Sequence, residues 1–397
     1  MTDHIVTPRL LLVMGATLAY YVCVGILIPV LPVFVENGMG SGEAMVGASA
    51  VAFSLAAVLS RPLITFVGVH FGRRVLMVGG AAVGALGGLG MVIVTEPWQL
   101  LPMRALMGVG EAALFVGAST IVVEATPVHR RAEAASYLSL AVFGGLSVGP
   151  ILGEAVLGDV AASARGLDAG RFDATFVLVV VAAVVAAVVS FWAPHGVSDR
   201  ARPEPVRWLE RDAIYPGVVL ACGIAAWTAF SSFLPTYVKG QGIPGTAPFF
   251  ALYSVICIVI RLFGATWPER FGLRRTVAGA MWTILAGMVL VSTFGGEPGI
   301  WASTALMGIG MSFLYPSLLA MAVRDVSDAK RVAVISSFTM FFEVGATVSG
   351  LVLGGVGEIL GKRAIFVGGA LFAACGVVMI GWTRSSKNAP VPSVTGT

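Results

Sequence analysis

Histidine and cysteine are scarce, with four of each in 397 residues. Cys23, Cys222, Cys257 and Cys375 all fall in apolar stretches without metal-ligand spacing. They read as small packing residues, not as a zinc or disulfide framework. His4 lies near the chain start, and His70, His129 and His195 lie in polar breaks. No nucleophile is placed beside a base and no glycine-rich phosphate loop is present, so no metal, no cofactor and no enzyme activity are expected. Charge is scarce too. Asp, Glu, Lys and Arg make up 12% of the chain, against about a quarter in soluble domains. That excludes an ordinary soluble fold.

What fills the chain is apolar sequence, 57% of all residues, in runs of twenty or more. Each run is long enough to cross a bilayer as a helix, and none alternates as a barrel strand would. The first, Leu10 to Val35, is too long for a signal-peptide core and no small-residue cleavage site follows it. The expected fold is an all-α polytopic membrane protein with twelve transmembrane helices, over 10–35, 46–67, 75–95, 99–124, 134–157, 174–194, 214–238, 246–267, 276–295, 299–322, 332–356 and 363–383. The longest polar break, His195 to Asp212, divides them into a first six-helix bundle (1–194), a linker (195–213) and a second bundle with a short tail (214–397).

Basic residues orient the spans. Seventeen of the 25 Lys and Arg lie in the even-numbered loops and the two tails, five in the odd-numbered loops, and Arg61, Arg104 and Arg261 within spans. Basic loops stay in the cytoplasm, so both termini are expected inside, in the inner (plasma) membrane. The net charge of +4 is this signal and not a nucleic-acid footprint. Trp98, Trp192, Trp267, Trp301 and Trp382 sit at span ends, where amphipathic rings favour the headgroup zone.

The two halves repeat at an offset of 200. Arg61 with Phe71-Gly72-Arg73-Arg74 returns as Arg261 with Arg270-Phe271-Gly272-Leu273-Arg274-Arg275. Met107-Gly108-Val109-Gly110 returns as Met307-Gly308-Ile309-Gly310, Arg130–Arg131 as Lys330–Arg331, and Gly145 as Gly345. A duplicated six-helix unit places a binding site near the midplane, between two bundles that rock on each other.

These motifs resemble the major facilitator superfamily along essentially the whole chain. The loop after span 2, with Gly72, Arg73 and Arg74, is similar to that family's first cytoplasmic signature, although its acidic position is Val69 here. The second half keeps the acid, Glu269, followed by Arg270 and Gly272. Arg104, Gly108 and Gly110 resemble the family's arginine–glycine motif on span 4, associated with proton coupling. Gly145, Gly149, Pro150 and Gly153 on span 5 resemble the glycine–proline motif of the exporter branch, with Glu154 replacing its last glycine. The resemblance implies a twelve-span drug:proton antiporter or sugar-efflux-like transporter.

Four acids lie in spans or at their ends. Glu124 and Glu154 are near interfaces and read as structural, whereas Glu111 and Glu343 lie near mid-span. A central acid costs about 3 kcal/mol and normally faces a wet or interior site. Arg104 and Glu111 are seven residues apart, about 10.5 Å along one helix face, with Gly108 leaving room between them. Glu343 lies on a stripe of Ser336, Met340, Thr347, Gly350 and Gly354 that is a cavity lining or a close-packed seam. Their counterparts are Thr304, Met311 and Phe143. Charges held in one half alone point to ligand or proton handling. Arg61 and Arg261 recur, and read as anchors that snorkel toward the basic end. Tyr20, Tyr21, Trp227, Phe230, Phe313 and Tyr315 are candidates for an apolar pocket wall.

With what the resemblance implies, the expectation is a monomeric, proton-coupled exporter of a small, partly apolar molecule, working in the lipid bilayer by alternating access. Glu111 is the first proton carrier, Glu343 the second, and Arg104 their tuning partner. Uptake of a sugar or organic acid by symport or facilitation, and lipid flipping, are the alternatives.

Overall fold

The computed structural model describes residues 7–41, 43–157, 169–194, 209–241, 243, 247–294 and 296–386. Most of the linker, His4, Arg165 and the tail from Lys387 lie outside them, as does the side chain of Glu154. The described residues form α1 (Pro8–Val33), α2 (Glu43–Leu59), α3 (Arg61–His70), α4 (Arg73–Val92), α5 (Pro97–Glu124), α6 (Arg131–Leu157) and α7 (Ala169–Phe191). The second half continues with α8 (Arg211–Gly240), α9 (Ala247–Phe263), α10 (Trp267–Phe271), α11 (Leu273–Thr293), α12 (Glu297–Ala322), α13 (Asp328–Leu360) and α14 (Lys362–Ser386).

Ten of these helices are long and apolar enough to span a bilayer, and α2 with α3 makes an eleventh, bent by 44°. The shorter apolar α9 takes the remaining place. This is the twelve-position, two-bundle architecture expected. The second position differs in one respect: it is not an unbroken helix, because the chain turns at Ser60 and Arg61 starts α3. Pro62 follows at the next position, where its missing N–H is tolerated in a first helical turn.

The recurring loop glycine has a backbone reason. Gly72 and Gly272 take φ of 93° and 90°, a region that L side chains avoid, and each leads directly into the next helix. The basic residues after them close the ends of the bundles. Arg74 Nε donates to Ala193 O at 2.6 Å, beyond α7, and Arg274 Nη2 donates to Ile380 O at 2.5 Å, in α14. Arg73 Nη2 meets Glu124 Oε1 at 2.8 Å, so Glu124 is tied down rather than merely solvated.

In the first half α1 packs along α6 and α7, and α4 along α5 and α7. The second half repeats the pattern, with α8 along α13 and α14, and α11 along α12 and α14. Glycines set the closest crossings. A Cβ on Gly149 would lie 2.6 Å from Gly25 of α1, on Gly153 2.7 Å from Ile26 O, and on Gly345 2.5 Å from Ala221 O of α8. The halves meet where α6 faces α12 and α9, and where α13 faces α2, α3 and α5. Leu11, Ile28, Leu86, Val181, Trp282 and Leu371 are exposed, as befits a surface wetted by acyl chains. Cys375 joins them, while Cys23, Cys222 and Cys257 are buried.

A buried charge cluster between the two halves

Glu111 sits in the middle of α5, 8% exposed, and accepts a hydrogen bond from the Tyr21 hydroxyl of α1. The glycines of α6 make this possible: a Cβ on Gly145 would run into Tyr21 itself, so the close α1–α6 crossing holds Tyr21 toward α5. Glu343 of α13, 9% exposed, belongs to the other half and lies within electrostatic range of Glu111. It takes a hydrogen bond from Ser54 of α2. Arg61 interacts with both carboxylates, and its Nη1 donates to Thr339 Oγ1 of α13 at 2.6 Å. The break at Ser60 thus turns a guanidinium inward, onto the seam between the halves.

That placement corrects the snorkelling expectation. Arg61 is 2% and Arg261 1% exposed, and neither reaches a headgroup zone. Both point across the seam into the opposite half. Arg261 of α9 lies over the Phe143 ring of α6, 4.3 Å from its centroid, and its Nε, Nη1 and Nη2 have no hydrogen-bond partner among the described residues. The hydroxyls of Tyr253 and Tyr315 are close enough to interact with it. Tyr253 stacks on Trp227 at 4.1 Å. Tyr315 Oη shares a 3.5 Å hydrogen bond with Ser119 Oγ of α5, and its ring lies 5.7 Å from Phe115.

Arg104 stands apart from Glu111. Its guanidinium lies over Phe53 of α2 at 4.7 Å, its Nε and Nη1 are buried without a hydrogen-bond partner among the described residues, and its charge is felt by Glu343, Cys23 and Tyr20. Among the described residues the expected Arg104–Glu111 pair is not formed; Tyr21 and Arg61 take that place. Nor does Gly108 leave room beside them, because a Cβ there would lie 2.1 Å from Phe53 O. Gly110 is filled in the same way by Gly80 O of α4, at 2.5 Å. These glycines serve packing.

The aromatic candidates divide. Tyr21, Tyr315 and Trp227 belong to the cluster or its second-half wall. Tyr20 is a core residue whose hydroxyl donates to Met107 O at 3.1 Å, and Phe230 is fully buried in the second-half core. Phe313 stacks on the exposed Trp267 at 5.8 Å. On the Glu343 stripe, Ser336 and Met340 are buried and Thr347 half-buried, while Gly350 is exposed with open space beside it. The stripe is a packed seam toward the basic end and opens beyond Glu343.

Sequence reasoning missed Ser54, Ser119, Thr339 and Phe143 as members of the cluster. Thr339 lies one helical turn before Glu343, and Phe143 is the repeat counterpart of Glu343, so both carried a positional signal. Their partners are 278 and 118 residues away, for Thr339 with Arg61 and Phe143 with Arg261, and no local pattern reveals that.

Toward the basic end the halves are joined further. Arg131 Nη1 donates to Val323 O at 2.6 Å. Glu269 Oε1 accepts from the backbone N–H of Glu133 at 2.9 Å, in the first turn of α6, where a carboxylate complements the helix dipole. Its Oε2 is buried without a hydrogen-bond partner among the described residues. Burial pushes the Glu269 carboxyl above the usual carboxylate range, against the opposing pull of the Glu133 N–H. Arg130 pairs with Glu133 on the same turn at 2.9 Å.

The sequence profile described as the Major Facilitator Superfamily matches residues 13–267 and 249–396. Relatives described as uncharacterized MFS-type transporters include ones from Burkholderia mallei and Burkholderia pseudomallei, 24% identical over 381 residues, covering 94% of this chain and 91% of theirs. Another, from Salmonella typhimurium, is 22% identical over 387 residues, covering 95% and 96%. Among solved structures, the human organic anion transporter MFSD10 aligns with a TM-score of 0.79 at 15% identity, covering 94% of this chain and all of that one. The transporter FucP, in the outward conformation, aligns at 0.77 and 17% identity, covering 94% and 98%.

Proposed function

Since the chain belongs to the major facilitator superfamily, we propose that it is a proton-coupled secondary transporter of the plasma membrane, with both termini in the cytoplasm. Its work is to export a small, partly apolar molecule by alternating access. The observation that supports this reading is that Glu111 and Glu343, one from each half, are both buried and lie within electrostatic range of each other and of Arg61. A buried carboxyl carries no charge when protonated, and burying charge is the main cost of moving an acid through a closed core. Such an acid therefore takes a proton from the outer side while the seam is open there. It yields the proton inside, where the Tyr21 hydroxyl and Arg61 stabilise the carboxylate left behind. The glycine-lined α1–α6 crossing lets that half move as one body.

A second reading, uptake of an organic acid together with a proton, is favoured by one observation. Among the described residues, the middle of the spans holds three guanidiniums, Arg61, Arg104 and Arg261, against two carboxylates, Glu111 and Glu343, while the buried Arg73, Arg131, Arg331 and Glu133 lie toward the basic end. A proton on either acid adds to that positive surplus and favours an anionic cargo. Counterflow of a labelled substrate in vesicles under an imposed pH gradient decides the direction. In the same vesicles Glu111→Gln is expected to abolish gradient-driven movement while sparing exchange without a gradient. If Glu111→Gln and Glu343→Gln both keep gradient-driven movement, proton coupling through this cluster is wrong.

A further inference from the structure

The duplication makes Arg61 and Arg261 equivalent, and the structure gives both the same posture: buried, inward, across the seam. Their surroundings differ in one way. Arg61 has Glu343 and Glu111 as counter-charges and Thr339 as an acceptor. The positions 200 residues away from those two acids, Phe143 and Met311, are apolar, and Phe143 lies directly against the Arg261 guanidinium. The counterpart of Thr339 is Ser139; both hydroxyls donate within their own helix, to Ile335 O and Ala135 O, but only Thr339 also accepts from its arginine. Arg261 thus keeps its place in the fold with none of the anions that satisfy its twin. All three of its nitrogens are buried and, among the described residues, unpartnered.

A wholly buried guanidinium with five unused N–H donors is costly unless an anion completes it. We infer that Arg261 is the anion-binding subsite of the transport pathway, and that the missing partner is one carboxylate group on the cargo. The surplus over the two acids is a single positive charge, which suits a monoanion rather than a phosphate. The walls suit an apolar body: Phe143 beneath the guanidinium, Tyr253 stacked on Trp227 to one side, and Tyr315 toward Glu111. A planar guanidinium takes a carboxylate in bidentate fashion, which a lysine cannot reproduce. In this arrangement the cargo's carboxylate stands to Arg261 as Glu343 stands to Arg61. The inference rests on the alternating-access reading but not on the direction of transport.

The test uses the purified full chain in detergent at one fixed pH, so a failure of proton coupling leaves the result unaffected. Thermal unfolding is followed with benzoate or octanoate, each against its neutral amide, and with chloride and phosphate alone. A carboxylate is expected to raise the unfolding midpoint where its amide does not, as a ligand of the folded state must. Arg261→Lys is expected to weaken that effect by about tenfold or more in apparent affinity. Phe143→Glu, which supplies the absent counter-charge from within, is expected to fold, to unfold no earlier than the parent, and to lose the carboxylate effect. The inference is overturned if neither carboxylate stabilises the parent chain, if the amides or the inorganic anions do so equally, or if Arg261→Lys responds like the parent. Full retention of the effect in a folded Phe143→Glu overturns it as well.

Discussion

At Arg61 the chain places a full positive charge where neither water nor headgroups reach it. Its strongest contact is a neutral hydroxyl, Thr339 Oγ1, at 2.6 Å. A hydrogen bond to a charged group contributes about 1.5–3 kcal/mol, and losing it leaves a buried donor unsatisfied. Thr339→Val, close in shape but without an acceptor, should therefore cost about that much in an unfolding titration. A loss below about 0.5 kcal/mol would mean that Thr339 does not hold Arg61 in place. The intramembrane charges themselves were legible from sequence, because Arg61, Arg104, Glu111, Arg261 and Glu343 interrupt apolar runs. Their partners were not. Arg104 and Glu111 share a helix face by spacing alone, yet side chains from α1 and α3 reach Glu111 while α2 occupies the flank of Arg104. Helical periodicity says which residues share a face, and nothing about what arrives there from 90 residues away in the chain.

Among the elements, α6 shows best how a motif acts through packing. The glycine–proline motif of span 5 was readable, but not that its glycines face α1, nor that this crossing aims Tyr21 at Glu111. Gly149→Ala tests the point. Its added Cβ would lie 2.6 Å from Gly25 backbone atoms, which cannot rotate aside, so α1 and α6 must separate. Overpacking of this kind costs about 1–3 kcal/mol, seen as a lower unfolding midpoint. Gly350→Ala, on α13 with open space beside it, should leave the midpoint unchanged. Equal effects at the two sites would contradict the geometry. The bend between α2 and α3 was hidden from sequence because Ser60 and Pro62 interrupt no hydrophobic pattern. That bend nonetheless decides the fate of Arg61, turning a residue expected to reach outward into one buried at the seam.

For the molecule as a whole, the cross-half hydrogen bonds of Arg61, Ser119, Arg131 and Glu269 all lie between the charge cluster and the basic end. This arrangement is closed at that end. Glu269 makes the closure depend on pH. Its carboxyl is raised by burial in the closed form, so proton binding favours closure: the contribution is present below the usual carboxylate range and is lost as pH rises through the raised value. Cross-linking of cysteines introduced on α6 and α10 should thus increase as pH falls, and in Glu269→Gln, which keeps an acceptor without a charge, should stay high at every pH. A yield that rises with pH would reverse the sign. The duplication itself was plain in the sequence, down to its constant offset. What the offset could not show is that its asymmetries, Phe143 and Met311 opposite two acids, gather on one seam. The native thiols suit such measurements unusually well. Three are buried inside the protein, and Cys375 is exposed on the middle of α14, a membrane-spanning helix, where a water-soluble reagent does not follow. Toward water-soluble maleimides the natural chain is already a silent background, and any engineered thiol would report its own access to water without the prior removal of a single cysteine.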